Sequence, residues 1–244
     1  MKAKTIKGTS VDDIQLALSA SLAEGYKPTL AIVFISVKQD SEAVCRLLNY
    51  EGIQIFGSTT SGEFISPEIS EGGIVIMLLD INPAFFKVLF FETGDSSAFE
   101  ISRQLGAEGK NVFVNPAFII ASGWLQTDGE EIIKGIEEGY GGEATVFGGM
   151  AGDDLMLTKP FVFTQGKEST TGLVAIIIDE DKIDIKGIAT CGWKPIGITK
   201  TVTKSSGNIV YTIDDKPALD LVIQYLGLDI NLDPGKDVVT NIGG

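Results

Sequence analysis

Two glycine-rich segments of the sequence hold the residue types best suited to binding a small ligand. The first, Gly57–Glu63, follows a strand-like run and carries four consecutive hydroxyl side chains, a glycine and an acid. Backbone N–H groups and short hydroxyls exposed together suit a carboxylate or a phosphate, although a strand-to-strand turn with positive-φ glycines explains the same residues. Glu63 stands where a P-loop requires lysine, which excludes that motif. The candidate ligand-binding residues here are Ser58, Thr59, Thr60, Gly62 and Glu63.

The second segment is Gly148–Asp154, with three glycines and an adjacent pair of acids. Glycines let the main chain approach a ligand closely, and paired carboxylates suit an ammonium group or Mg²⁺. A single Asp-Asp pair is also common in solvated turns, so we predict no metal and no cofactor. The glycine spacing does not reproduce the dinucleotide fingerprint. The candidate ligand-binding residues are Gly148, Gly149, Gly152, Asp153 and Asp154.

A tryptophan follows a predicted strand in the segment Cys191–Gly197. Ligands of α/β proteins gather at the carboxyl ends of strands, so Trp193 is a candidate pocket wall. A tryptophan at the edge of the core fits the same pattern. Trp124 follows another predicted strand in the same way.

The composition excludes several chemistries. The 244 residues include no histidine, which removes imidazole bases, imidazole metal ligands and Ser-His-Asp catalysis. Cys45 and Cys191 lack metal-ligand spacing and are interpreted as small buried residues in a reduced compartment. A net charge of −14 argues against nucleic acid and anionic membranes as partners. With neither a signal-peptide pattern nor a long apolar run, we expect a cytoplasmic protein.

Periodicity and helix caps predict the helices and strands around these residues. Helices are predicted over Val11–Glu24, with Ser10 as N-cap, and over Ser41–Tyr50. Capping boxes at Ser97/Glu100 and Thr127/Glu130 predict two more helices, the first ending near Ala107. Strands are predicted at Thr29–Val37, Ile53–Ser58, Ile74–Leu79, Phe85–Phe91, Ala117–Ala121, Thr145–Gly148, Leu173–Ile178 and Lys182–Ala189.

The two halves of this pattern align with each other. The first glycine-rich segment matches the second 91 positions later, and Gly73-Ile74-Val75-Ile76 matches Gly172-Leu173-Val174-Ala175 at an offset of 99. We therefore predict an α/β fold of internally duplicated β-α-β-β-β-β units, with pseudo-repeats at about 29–91 and 117–189. Mixed sheets covered by helices would result, and a layered α-β-β-α sandwich is one such arrangement. Chance similarity between buried strands is the alternative.

The remaining chain has a different pattern. A hairpin of Thr199–Lys204 and Asn208–Ile213 is predicted to precede a helix that starts with Pro217 in its first turn and continues to about residue 226. We expect residues 1–227 to form one domain. Residues 228–244 lose periodicity and are interpreted as a tail or as the truncated start of another domain.

Several of these motifs, in this order, resemble the N-terminal domain of FIST proteins. They are the two glycine-rich segments, Gly192-Trp193-Lys194-Pro195-Ile196-Gly197, Val202-Thr203 and Asp215-Lys216-Pro217-Ala218, and the resemblance covers about residues 29–227. It implies an intracellular sensory domain of bacterial signalling proteins that takes small ligands such as amino acids. It also implies a C-terminal FIST domain, which residues 228–244 would begin, and an output partner such as a kinase, cyclase or chemoreceptor.

These observations predict a non-catalytic sensory domain that binds amino acids or similar metabolites. The ligand carboxylate would meet Gly57–Ser61, its ammonium group would meet Asp153 or Glu63, and a tryptophan would cover its side chain. This requires the two glycine-rich segments to share a cleft. One alternative is a hydrolase or transferase with Ser58 or Thr59 as nucleophile, and another is a protein-interaction scaffold.

Overall fold

The computed structural model describes residues 1–65, 68–123, 128–156, 158–188, 192, 194–195 and 197–226. The chain forms two compact units, Met1–Gly187 and Ile188–Gly244, which are described separately. The helices are α1 (Val11–Ala23), α2 (Ser41–Tyr50), α3 (Ala98–Val112), α4 (Gly129–Tyr140) and α5 (Ala218–Leu226). The strands are β1 (Lys2–Gly8), β2 (Leu30–Ile35), β3 (Gln54–Thr59), β4 (Glu63–Ile65), β5 (Glu68–Ser70), β6 (Ile74–Asp80), β7 (Phe86–Phe91), β8 (Pro116–Ser122), β9 (Thr145–Met150), β10 (Val162–Thr164), β11 (Lys167–Ser169), β12 (Leu173–Asp179), β13 (Val202–Ser206), β14 (Ile209–Ile213) and β15 (Lys216–Pro217).

The first unit contains two main sheets. The first sheet has the strand order β1-β6-β2-β3-β10-β11, and β2 and β3 are its parallel pair. The second sheet has the order β7-β12-β8-β9, and β8 and β9 are parallel. The strands β4 and β5 form a separate small hairpin.

The second sheet repeats the topology of the first. The chain runs β1-α1-β2-α2-β3-β6 through the first sheet and β7-α3-β8-α4-β9-β12 through the second, with matching strand order and direction. This common pattern starts one strand earlier than the predicted repeats. The predicted strand Phe85–Phe91 is observed as β7, but it pairs with β12 and belongs to the second sheet. The duplication itself stays a prediction.

Three apolar layers hold the first unit together. Ile14 of α1 and Leu48 of α2 pack on the outer face of the first sheet. Leu105 of α3 and Ile136 of α4 pack on the outer face of the second sheet. The two inner faces meet through a cluster that contains Leu30, Phe56, Leu79, Ala121, Val174 and Ile176. The order of layers is therefore α-β-β-α, which confirms the predicted α/β sandwich.

The predicted helix caps are largely confirmed. The Ser10 hydroxyl accepts a hydrogen bond from the Asp13 N–H, and Ser97 and Glu100 form a complete capping box. α3 continues to Val112, five residues beyond the predicted end. α4 begins after Asp128, whose carboxylate accepts from the Glu130 N–H. Asp128 therefore occupies the capping position that the sequence analysis gave to Thr127, which lies outside the described residues.

The predicted strand Lys182–Ala189 was wrong for the residues that the structure describes, since positions 182–188 form no strand. The N–H groups of Lys182 and Ile183 donate to the Asp179 carbonyl and turn the chain. Ile183 and Ile185 then pack against the cluster between the sheets. The alternation of apolar and charged residues that predicted a strand here therefore reflects the packing of Ile183 and Ile185 and not strand pairing.

The second unit contains the predicted hairpin and helix. β13 pairs with β14, which also pairs with the two-residue strand β15. Pro217 ends β15, so α5 begins at Ala218, one residue after the proline that was expected inside its first turn. The apolar residues Leu221, Val222 and Tyr225 of α5 are predicted to be buried; Leu221 is buried, whereas Val222 and Tyr225 are exposed.

Candidate functional site

The two glycine-rich segments line one cavity between the two sheets. Its volume is about 540 Å³, within the range of small-molecule sites. The first segment contributes Ser58, Thr59, Thr60, Ser61 and Gly62. The second contributes Gly148, Gly149, Met150 and Gly152. The predicted shared cleft is therefore present in the first unit.

The segments meet because each begins on the last strand of a parallel pair. In β3, Ser58 stands beside Phe34 of β2, and in β9, Gly149 stands beside Ala121 of β8. These residues lie on the inner faces of their sheets, at the carboxyl ends of the strands. A Cβ built on Gly149 would meet no atom within 4 Å. The missing side chain at Gly149 thus leaves the cavity open.

Main-chain hydrogen bonds join the two segments. The Gly152 N–H donates to the Thr59 carbonyl at 2.9 Å, and the Asp154 N–H donates to the Thr60 carbonyl at 3.1 Å. The Leu155 N–H donates to the Ser61 hydroxyl at 3.3 Å. The polar end of the cavity is therefore built by both segments together.

The four hydroxyls of the first segment have different surroundings. The buried Ser58 hydroxyl donates to the Thr59 carbonyl at 3.0 Å. The Thr59 hydroxyl donates to the Phe161 carbonyl and accepts from the Phe161 N–H. The Thr60 hydroxyl donates to the Glu63 carboxylate at 2.6 Å. Only Ser61 is exposed to solvent.

Glu63 is 1% exposed and does not line this cavity. Its Oε1 accepts from the Thr60 hydroxyl and its Oε2 accepts from the Gly73 N–H at 2.9 Å. These bonds tie the segment to the start of β6. The carboxylate predicted to receive a ligand's ammonium group therefore holds the loop in shape.

The two acids of the second segment also point away from the cavity lining. Asp153 is buried, and its Oδ2 accepts from the N–H groups of Thr158 and Lys159 at 2.6 and 2.9 Å. The Asp154 Oδ2 accepts from the Ser36 hydroxyl at 2.8 Å and lies 3.1 Å from Lys38 Nζ. Both carboxylates brace the loop that follows β9.

The apolar walls of the cavity were missed by the sequence analysis. They comprise Ile32, Phe34, Phe56, Met77, Ile119 and Ala121. In the sequence these residues belong to continuous apolar strands, whose pattern is typical of a fully covered core. Phe34 and Met77 are nevertheless 41% and 42% exposed. The second sheet has four strands and the first has six, so part of the inner face of the first sheet, at Phe34 and Met77, is left uncovered.

A second cavity of about 350 Å³ adjoins the first. The two share Phe34, Thr60, Gly62 and Met77 as lining residues. The strand β4 supplies Glu63, Phe64 and Ile65 to the second cavity. The apolar surface therefore continues from the sheet interface to this strand.

Both tryptophans considered as pocket walls, Trp193 and Trp124, lie outside the described residues. The described part of the chain contains no group of three or more His, Cys, Asp or Glu side chains that could hold a metal ion. In the same residues, no helix has the length and apolar character needed to cross a membrane.

The sequence matches the model of a known protein family. Residues 29–216 match the family model described as the FIST N domain. The chain belongs to the FIST N domain family. The match runs from the residue before β2 into β15, so both cavity-lining segments of this FIST N domain fall inside it. FIST domains are sensory domains of signal transduction. No curated protein matches the sequence.

Proposed function

We propose that this FIST N domain binds a small metabolite in the cavity between its two sheets, without chemical turnover. One observation carries the proposal: segments from both sheets, joined by main-chain hydrogen bonds, line a single cavity of about 540 Å³. Its lining is mostly apolar with polar groups at one end, which is typical of small-molecule sites.

Amino acids and similar metabolites are the first ligand class to test. The ligand's acceptor group would meet the Ser61 hydroxyl and the Gly62 N–H, and its apolar part would contact Phe34 and Met77. The bound state would be read by a signalling output, such as a kinase, a cyclase or a chemoreceptor, on the same or another chain.

The binding test is a ligand panel on the full chain, followed by thermal unfolding and calorimetry. A ligand at about 100 times its Kd stabilises the folded state by about 2.7 kcal/mol, which raises Tm by several degrees. Gly149→Leu should raise the Kd more than about tenfold, because its side chain enters the cavity. Gly142→Leu is the matched control, since a Cβ there also meets nothing within 4 Å and Gly142 does not line the cavity. An unchanged Kd in Gly149→Leu would contradict the proposed site.

The described hydroxyl contacts favour binding over nucleophilic catalysis. Ser58 donates to the main chain of Thr59, and Thr59 is bonded to Phe161. A serine nucleophile needs a base that accepts its proton, and both of these hydrogens go to carbonyl oxygens. Hydrolysis of an ester or amide that is lost in Ser58→Ala but not in Ser61→Ala would establish the enzymatic alternative instead.

A further inference from the structure

The charge of the cavity lining restricts the ligands that can enter it. Among the described residues, no Asp, Glu, Lys or Arg side chain lines the 540 Å³ cavity. The walls are aliphatic, aromatic and thioether groups, with Phe34, Phe56 and Met77 among the largest. Moving an ion from water into such a lining costs free energy unless a partner of opposite charge or several hydrogen bonds compensate.

The carboxylates nearest to the lining already have partners. Glu63 adjoins Gly62 and accepts from Thr60 and Gly73, and Asp154 accepts from Ser36 beside Lys38. Both would repel an anionic ligand group at Ser61, and the net charge of −14 adds to this repulsion. Neither carboxylate lines the cavity of about 540 Å³, so a ligand cation inside it would have no charged partner in the lining.

The hydrogen-bonding groups at the polar end form a donor and acceptor set. Ser58 lines the cavity, and its hydroxyl donates its hydrogen to the Thr59 carbonyl, so this oxygen is left as a hydrogen-bond acceptor. The Ser61 oxygen accepts from Leu155, so its hydrogen remains to be donated. Gly62 lines the same end and has a main-chain N–H without an acceptor among the described residues.

We infer that this cavity selects an uncharged ligand that carries an amide-like group on an apolar body. The amide carbonyl accepts from Ser61 and Gly62, and the amide N–H donates to Ser58. A carboxylate satisfies the first two groups but offers no hydrogen to Ser58, and an ammonium group satisfies only Ser58. The inference rests on the proposed function: it keeps the site and, among small metabolites, favours neutral amides, lactams and related compounds over free amino acids.

The size of the apolar lining determines how large the apolar body of the ligand can be. The cavity of about 540 Å³ continues into the neighbouring cavity of about 350 Å³ across Phe34 and Met77. A ligand with an aromatic or branched body can therefore extend from the polar end towards Phe64 of β4. Glu63 also lines this second cavity, and its carboxylate accepts from Thr60 and Gly73.

The test compares four compounds with the same apolar body on the full chain by calorimetry. They are 3-phenylpropionamide, 3-phenylpropionate, 2-phenylethylamine and phenylalanine, which are neutral, anionic, cationic and zwitterionic. The amide should bind at least about tenfold more tightly than each of the others, because it alone avoids the desolvation of an ion. Ser58→Ala should weaken amide binding about fivefold to tenfold and leave 3-phenylpropionate unchanged.

The possible outcomes of this test distinguish a failure of the inference from a failure of the proposed function. Phenylalanine or 3-phenylpropionate binding more tightly than the amide, with sensitivity to Gly149→Leu, overturns the inference and supports the proposed site. Equal effects of Ser58→Ala on the amide and the anion overturn the assigned role of Ser58. Binding of none of the four compounds at millimolar concentration overturns the inference, whereas the proposed function is overturned only if the wider ligand panel also fails.

Discussion

Gly152 lies directly against Ser61 where the two glycine-rich segments meet. A Cβ on Gly152 would be 2.5 Å from the Ser61 Oγ and 2.8 Å from the Ser61 nitrogen. The neighbouring Gly152 N–H donates to the Thr59 carbonyl. Because any side chain would push the segments apart, glycine at 152 is a requirement of the contact between the two sheets' loops.

Gly152→Ala should therefore lower the free energy of unfolding by about 1–3 kcal/mol, the usual effect of overpacking a close contact. Urea denaturation measures this directly. Gly149→Ala is the control, because its Cβ meets nothing within 4 Å, and it should stay within about 1 kcal/mol of the parent protein. Equal effects of the two substitutions would contradict the close packing at Gly152.

The second prediction concerns the buried Glu63 carboxylate. In Glu63→Gln the amide oxygen can accept from the Gly73 N–H, while the NH₂ group can donate to the Thr60 hydroxyl, whose own hydrogen then goes to the Ile35 carbonyl at 3.5 Å. The free energy of unfolding should fall by about 1–2 kcal/mol, because two hydrogen bonds to a charged group are replaced by weaker neutral ones. Glu71→Gln, at an exposed position between β5 and β6, should change it by less than about 0.5 kcal/mol.

The contact between α3 and α4 depends on glycine. A Cβ on Gly139 would overlap the Arg103 carbonyl oxygen, and a Cβ on Gly106 would overlap the Ile136 carbonyl oxygen. Although alanine is the better helix former, Gly139→Ala should lower Tm by several degrees, because the two helices must separate. Gly142→Ala, just after α4, should leave Tm nearly unchanged. A higher Tm for Gly139→Ala would show that the helices have room at this crossing.

Cys45 should be inert in the folded protein. Burial, reinforced by the negative charges of Glu168 and Glu42, raises the pKa of this thiol to about 12. An alkylating reagent at pH 8 should modify Cys45 only after unfolding in urea, because the thiolate is the reactive form. Peptide mass mapping distinguishes it from Cys191. Rapid modification of Cys45 under native conditions would contradict its burial.

The same pKa shift has a consequence for stability at high pH. The thiol binds its proton more tightly in the folded state than in the unfolded state, where its pKa is near 9. Its contribution to stability is therefore complete below about pH 9 and is lost as the pH rises towards 12. Cys45→Ala should show a smaller loss of stability over this interval.

The sequence was most informative where local chemistry decides the structure. Ser10 and the Ser97–Glu100 pair start their helices because a side-chain oxygen must satisfy free N–H groups within three residues. The match between the two glycine-rich segments also predicted correctly that they would share a cavity, because equivalent loops follow equivalent strands.

The roles of individual acids could not be predicted in the same way. Glu63 and Asp153 are carboxylates of the kind that bind ligands. In the structure, however, Glu63 accepts from the Gly73 N–H, and Asp153 accepts from the N–H groups of Thr158 and Lys159. These contacts depend on how distant loops close over one another. The pairing of β7 with β12 was missed for a similar reason, since a strand pattern does not specify its sheet.

The strand β10 gives the first unit a mechanical constraint. It lies between β9 and β12 in the chain, both in the second sheet, yet it pairs with β3 of the first sheet. The Thr59 hydroxyl and main chain add further bonds to Phe161, just before β10. These bonds link the chain between β9 and β12 to the first sheet beside the cavity, which opposes rigid-body separation of the two sheets. If the cavity binds a ligand as proposed, displacement of the loops at its rim would be the signal that an output partner detects.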